Sequence, residues 1–227
     1  MRTHIKDFIK KYIPHFYLLY LRLRRFEYEN KVLPREFMTL VKKLTPSSVV
    51  IDVGANVGLV SEVLAVRGAR VIAFEPNPVA FEELRCVAQK YKNIELRKEA
   101  AGLKNQQVKL FLHKDTNTTD KDLTQASSLL SAKPNVSVDN FESVNEIDFA
   151  QYLKSLNEPV ELVKMDIEGY EVQLLNHLLD KDAIRNVNHF FIETHERKFV
   201  DLALPTEKLK ARIKKEGLDD KFMFDWH

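Results

Sequence analysis

One cysteine in 227 residues, Cys86, rules out an internal disulfide framework and fits a reducing compartment. Within a helical pattern it reads as a buried structural thiol. No apolar run reaches the length that spans a bilayer, and no stretch has the layout of a secretory signal. The expected location is therefore the cytoplasm. Neither sign of charge dominates: 35 Lys and Arg against 33 Asp and Glu leave a net charge of +2, so no nucleic-acid partner is expected. Also missing is the Gly-x-Gly-x-x-Gly turn of nicotinamide dinucleotide enzymes. A hydrophobic content of 44% is enough for a sizeable core. From Val49 onward apolar strands alternate with amphipathic helices, which predicts an α/β domain built on a doubly wound, mostly parallel sheet. We place that domain at 46–227, behind a helical extension at 1–45.

The extension is basic and rich in aromatics. Ile5, Phe8, Ile9, Tyr12 and Ile13 have the spacing of one helical face. Such a segment can lie on an anionic surface, which would make the protein peripheral to the inner membrane. The commoner use of an amphipathic helix is packing on a sheet edge or a partner subunit. Glu36 to Leu44 reads as a further helix.

The organising stretch is Val49-Val50-Ile51-Asp52-Val53-Gly54-Ala55-Asn56-Val57-Gly58, a strand running into an acid and a Gly-containing turn, with a helix expected over 57–67. Gly54 suits the sharp turn, and Gly58 allows the helix to start close to the strand. Asn56 tolerates left-handed backbone, and backbone N–H groups of such a turn can face a ligand. Asp52 would add nothing to a pyrophosphate cradle but suits a ligand with ammonium and sulfonium groups. Glu75 closes the next strand, 70–75, and lies 21 positions after Gly54, right for accepting hydrogen bonds from ribose hydroxyls. Amino acid, sulfonium and ribose together describe S-adenosylmethionine.

Strand 94–98 is followed by Glu99-Ala100-Ala101-Gly102, which reads as a small-residue turn. Gln107 to His113 reads as an added strand, and the polar stretch Lys114 to Gln125 as a candidate lid or substrate loop. Val136–Asp139 is predicted as a short strand and Asn145–Leu156 as a helix.

Two further strands end in chemistry. In Val160 to Glu171, residues Lys164, Asp166 and Glu168 share a strand face at the edge where open α/β sheets bind ligands. Carboxylates buried there need a proton, a cation or a substrate. Glu171 reads equally well as a helix-facing ion pair. In Val187 to Glu196, Glu193 and His195 share a face, and they meet Asp166 and Glu168 if the two strands are neighbours. The set resembles an oxygen and nitrogen metal site, but nothing in the spacing demands a metal and none is expected. A helix is expected over 206–215 and a last strand over 222–226.

Asp52 to Gly58, Phe74-Glu75-Pro76, Lys164 to Glu171 and Ile192-Glu193-Thr194-His195 occur in an order that resembles the FkbM family of S-adenosylmethionine-dependent methyltransferases. The resemblance covers about 48–198. It implies a Rossmann-like class I methyltransferase fold with two strands after the fifth, of which only 222–226 is visible. It implies O-methylation of a sugar hydroxyl in a surface glycan or of a secondary metabolite, so the expected partner is a glycan or small-molecule acceptor. By position, Asp52, Gly54, Asn56, Gly58 and Glu75 would bind the cofactor. Ala101 would touch the adenine, Ser127 and Ser128 would line the pocket, and Asp166, Glu168, Glu193 and His195 would face the acceptor. His195 or Glu168 would act as base. The alternatives are a degenerate methyltransferase fold recruited to membranes as an interaction module and a nicotinamide-dependent oxidoreductase.

Overall fold

The computed structural model describes residues 23, 25–113 and 136–226, and their side chains except at 112–113, 136–139 and 225–226. Helix 5–13, the stretch 114–125, Ser127 and Ser128 lie outside the described residues. The chain divides into two units, 1–42 and 43–227. In the first, helical residues 25–31 carry the pairs Arg25–Glu29 and Lys31–Glu27 one turn apart. A second helix, Arg35–Val41, stops three residues short of the expected end.

The second unit is the α/β domain. Its strands are β1 (Val49–Val53), β2 (Arg70–Phe74), β3 (Ile94–Arg97), β4 (Ala100–Gly102), β5 (Gln106–His113), β6 (Val136–Asp148), β7 (Val160–Met165), β8 (Val187–Glu193) and β9 (Phe222–Trp226). Its helices are α1 (Leu59–Val66), α2 (Pro78–Ala88), α3 (Phe149–Ser155), α4 (Glu171–Asp180) and α5 (Ala203–Lys215). The main sheet has the order β3-β2-β1-β7-β8-β9, and every pairing in it is parallel. One strand, β9, follows the fifth, as far as the described residues go, and it runs parallel to β8.

Alternation along the strands explains why both faces need helices. Val49, Ile51 and Val53 of β1 join one core cluster with Ile72, Phe74, Val163, Met165, Phe190 and Ile192. Residues from α3, α4 and α5 complete it, among them Phe149, Leu153, Leu174, Leu178, Leu209 and Ile213. Val50 and Asp52 must point the other way, and Asp52 indeed meets Ser61 of α1. Strands buried on both sides read as nearly continuous apolar runs, and 49–53 is buried throughout, with Asp52 as its one polar residue. This is a doubly wound, Rossmann-like sheet whose carboxyl edge collects the ends of β1, β2, β7 and β8.

Several boundaries differ from expectation. Ala100–Gly102 is a strand, not a turn, because it pairs in parallel with β6 in a second, three-stranded sheet. Strand β6 runs to Asp148, so the expected helix from Asn145 starts only at Phe149. Exposed Ser143 and Asn145 alternate there with buried Val144 and Glu146, and the antiparallel ladder with β5 supplies the hydrogen bonds. The side chain of Asp148 then accepts from Gln151 N–H and caps α3. Helix α1 starts at Leu59 because Gly58 caps it at φ +85°. Helix α5 begins at Ala203, with Pro205 tolerated in its first turn. Cys86 is half-buried on α2 rather than enclosed. No helix among the described residues is long and apolar enough to cross a membrane.

Candidate active site

The turn after β1 is held from three sides. Gly54 and Ala55 N–H both donate to Phe74 O, at 3.0 and 2.9 Å. Phe74 is itself fixed by edge-on contacts with Phe149 and Tyr152, at 5.6 and 5.2 Å between ring centroids. Asn56, left-handed at φ 48°, donates its N–H to Glu75 Oε2 at 2.7 Å. Gly58 N–H closes on Ala55 O at 2.9 Å. These four N–H groups, which the sequence left available to a ligand, are therefore engaged within the protein.

Both glycines have positive φ, and Gly54 is demanded by close approach of backbone as well. A Cβ on Gly54, at φ +76°, would lie 1.8 Å from the backbone oxygen of Asp166. A Cβ on Gly58 would lie 2.8 Å from Leu84 Cδ1 of α2. The first glycine lets β7 end against the turn, and the second seats α2 against the start of α1.

Asp52 is fully buried. Its Oδ2 accepts from Ser61 Oγ at 2.6 Å, and its Oδ1 lies 3.2 Å from Lys164 Nζ. The register places Asp52 directly opposite Lys164 on β7. Lys164 also donates to Gly54 O at 2.8 Å. Expected beside the cationic groups of a ligand, Asp52 has its two oxygens facing Ser61 and Lys164, and it braces the turn from beneath.

Glu75 sits at the end of β2, only 7% exposed. Its Oε1 accepts from Asn77 N–H at 2.8 Å and its Oε2 from Asn56. Burial raises its pKa to about 7, against the hydrogen bonds from Asn77 and Asn56 that favour the ionised form. Each carboxylate oxygen keeps a lone pair for a further donor. Ala101 is buried in the main core cluster with Phe74 and Phe149, so it forms part of the apolar wall beside Glu75's strand.

The second group lies at the ends of the neighbouring strands β7 and β8. His195 is 2% exposed. Its Nδ1 faces Glu171 Oε1 at 3.3 Å. Its Nε2 faces Glu168 Oε2 at 3.5 Å, Asp166 Oδ1 at 3.7 Å and Glu193 Oε1 at 3.9 Å. Four carboxylates thus surround one imidazole. Burial lowers the pKa of His195, but the carboxylates of Glu168 and Glu171 outweigh it and raise the value to about 10. Burial also lifts Asp166 to about 7, opposed by Lys164 and assisted by Glu193 and Glu168. Glu168 reaches this cluster from left-handed backbone at φ 57°, a conformation that is uncommon outside glycine and concentrates at functional sites.

The structure therefore brings Asp166, Glu168, Glu193 and His195 together, because β7 and β8 are adjacent and parallel. It adds residues that the sequence reading did not assign to the site. Glu171, 1% exposed, accepts from Ile167 N–H at 2.8 Å while facing His195. Ser61 is the lone hydroxyl among the apolar residues that open α1, and that was its signal. Glu146 is buried and accepts from Leu103 N–H at 2.7 Å, so it ties the small sheet to the segment after β4. Its place on a strand was hidden by the mistaken helix.

A family model, the methyltransferase FkbM domain, matches residues 52–211. Two curated relatives match a short segment. The ribosomal RNA small subunit methyltransferase A of Thermotoga petrophila is 48% identical over 56 residues, 25% of this chain and 22% of its own length. The protein of the same name from Thermotoga maritima is 46% identical over 57 residues, 25% of this chain and 20% of its own length. These matches span about a fifth of those proteins. Among solved structures, the methyltransferase FkbM from Methylobacillus flagellatus KT has a TM-score of 0.47 at 17% identity, over 74% of this chain and 38% of that one. TYW2 from P. horikoshii in complex with MeSAdo has a TM-score of 0.39 at 14% identity, over 82% of this chain and 55% of that one.

Proposed function

The chain belongs to the FkbM methyltransferase family, and from that premise we propose that it moves a methyl group from S-adenosylmethionine to an oxygen of a glycan or small-molecule acceptor. The observation that carries the reading is the shared edge. Glu75 follows β2 and Asp166 follows β7, on either side of the Gly54–Gly58 turn that follows β1, while the acid and histidine cluster completes the edge at β8. A donor seated on Glu75 would present its methyl group toward that cluster.

The chain's own residues divide the work. Glu75 accepts hydrogen bonds from the ribose hydroxyls. Asp52, through Lys164 and Ser61, holds the turn in shape, and Gly54 and Gly58 allow the close packing that shape requires. Methyl transfer is an in-line displacement, so fixing the acceptor oxygen against the methyl carbon supplies much of the acceleration. A hydroxyl must lose its proton as the new bond forms. The carboxylate group of Asp166, Glu168 and Glu193 receives it, with His195 and Glu171 fixing their positions. S-adenosylmethionine supplies the electrophilic methyl and the sulfur leaving group. The test is transfer of an isotope-labelled methyl from S-adenosylmethionine to hydroxylated sugars and small metabolites, read by mass spectrometry. The expected product is heavier by one labelled CH₂ unit; unmodified acceptors across a broad panel, with the donor shown to bind, would end the O-methylation reading.

Donor binding should also move a proton. Free Glu75 titrates near 7, and hydrogen bonds from ribose hydroxyls favour its ionised form, so they lower that value. Affinity should accordingly rise as pH increases from about 6 to 8, and binding below about pH 7 should release a proton. Calorimetry in buffers of different ionisation enthalpy measures the release directly. The same linkage acts on the free protein with the following sign. Because the folded value stands above the ordinary 4.5, Glu75's contribution to stability is fully present below that ordinary value and is lost as pH rises through about 7. A flat affinity from pH 6 to 8 would contradict the ribose contact.

The nicotinamide alternative shares the fold and the ribose acid. It is separated by thermal stability, since a ligand that binds only the folded state raises the melting temperature. S-adenosylmethionine should do so and the nicotinamide dinucleotides should not. The degenerate-module alternative makes the opposite prediction for the labelled methyl, which would not be transferred.

A further inference from the structure

We infer that Asp166, Glu168 and His195 form a binding site for a first-row divalent cation of the Mn²⁺ type. One ligand atom from each lies within 4.8 Å of the other two. Neither nitrogen of His195 has a hydrogen-bond partner, although the side chain is 0% exposed. Asp166 Oδ1 is likewise buried without one. Buried polar atoms without a hydrogen bond are costly, and here Asp166 Oδ1 and His195 Nε2, from different strand ends, stand 3.7 Å apart at ion-pair rather than hydrogen-bond distance.

The spacing is informative. Oxygens at 3.5 and 3.7 Å from His195 Nε2 are too distant for good hydrogen bonds. Bonds of about 2.1 Å to a shared ion set neighbouring ligand atoms roughly 3–3.5 Å apart, so the two distances from His195 Nε2 are within a few tenths of an ångström of those in a coordination shell. The imidazole is also set up as a ligand. Its Nδ1 faces the buried Glu171 carboxylate at 3.3 Å, a carboxylate placed to orient the ring while a cation at Nε2 displaces the proton held there. Glu171 is held in turn by Ile167 N–H. One imidazole nitrogen with two carboxylates is a donor set for Mn²⁺, Fe²⁺ or Zn²⁺ rather than for a soft ion.

The site stands on this geometry; its use rests on the methyl-transfer reading. A six-coordinate ion held by three side chains keeps positions for acceptor oxygens, which would orient the hydroxyl and favour its deprotonated form. Glu193, 3.9 Å from His195 Nε2, is then the carboxylate left to take the proton.

The experiment uses the full chain, freed of metal with chelator and titrated with Mn²⁺ alone, followed by electron paramagnetic resonance. One tight Mn²⁺ per chain is expected, weakened at least tenfold by Glu168→Gln and by His195→Ala. Bound Mn²⁺ in the unaltered protein should show a nitrogen coupling from the imidazole, a readout that needs no variant to fold. No saturable binding up to millimolar Mn²⁺, no nitrogen coupling, or equal affinity in folded variants would overturn the site and leave an ion-pair cluster. Parallel titration with S-adenosylmethionine separates the two readings. Mn²⁺ binding without donor binding removes the methyl-transfer reading and keeps the site, and donor binding without Mn²⁺ binding does the reverse.

Discussion

Glu168→Gln is expected to lower methyl transfer by about 10²–10⁴-fold, the span associated with losing a positioned proton-transfer group, while the affinity for the methyl donor stays within about twofold. The substitution preserves shape and removes charge. Glu168 lies at the end of β7, 3.5 Å from His195 Nε2, whereas the donor's ribose contact is assigned to Glu75 at the end of β2. Rate and affinity should therefore separate cleanly in single-turnover and equilibrium measurements. His195→Ala should behave in the same sense, since it removes the group that four carboxylates surround. Normal turnover in both variants would take the chemistry away from the β7–β8 edge.

Gly54→Ala should have the largest effect on folding. Its Cβ would meet the Asp166 carbonyl oxygen at 1.8 Å. A backbone atom held at the end of β7, where Asp166 N–H donates to Val53 O, cannot rotate away as the end of a side chain can. Left-handed backbone at φ +76° adds about 1–2 kcal/mol for a residue bearing a Cβ. The sum should be on the order of 3 kcal/mol or more, among the larger effects of single substitutions. Gly217 supplies the control, at φ +69° with nothing within 4 Å of the added Cβ. Gly217→Ala should cost only the backbone term. Denaturant unfolding of the two variants measures the difference, and equal losses would mean that the β7 contact at Gly54 matters little.

The sequence was most legible where local chemistry and position in the fold coincide. The β1 turn could be read from Asp52, Gly54, Asn56 and Gly58 because a strand, a turn and a helix follow one another without long-range information. The order of the acids at the ends of β2, β7 and β8 was equally visible, since period-two alternation assigns faces along a strand. Partners across the sheet were not. That Asp52 faces Lys164 depends on the register of β1 against β7, and no spacing within either segment encodes it. This is why Asp52, legible as an acid near a ligand, appears in the structure as the brace under the turn. The small sheet was hidden for a related reason. Ala100–Gly102 is too short and too small in side chain to look like a strand, and it becomes one only because β6 pairs with it. The segment 145–148 has residues that a helix would accept, and pairing with β5 overrides that local preference. Glu171 was ambiguous because its two partners, Ile167 N–H and His195, come from a tight turn and from a different strand.

The most direct measurement of the central claim is calorimetric titration of S-adenosylmethionine into the intact chain and into Glu75→Ala. The account predicts one donor per chain and a loss of roughly 10–100-fold on substitution, the worth of hydrogen bonds to a charged group. Unchanged affinity in Glu75→Ala, or no binding to the intact chain, would contradict it.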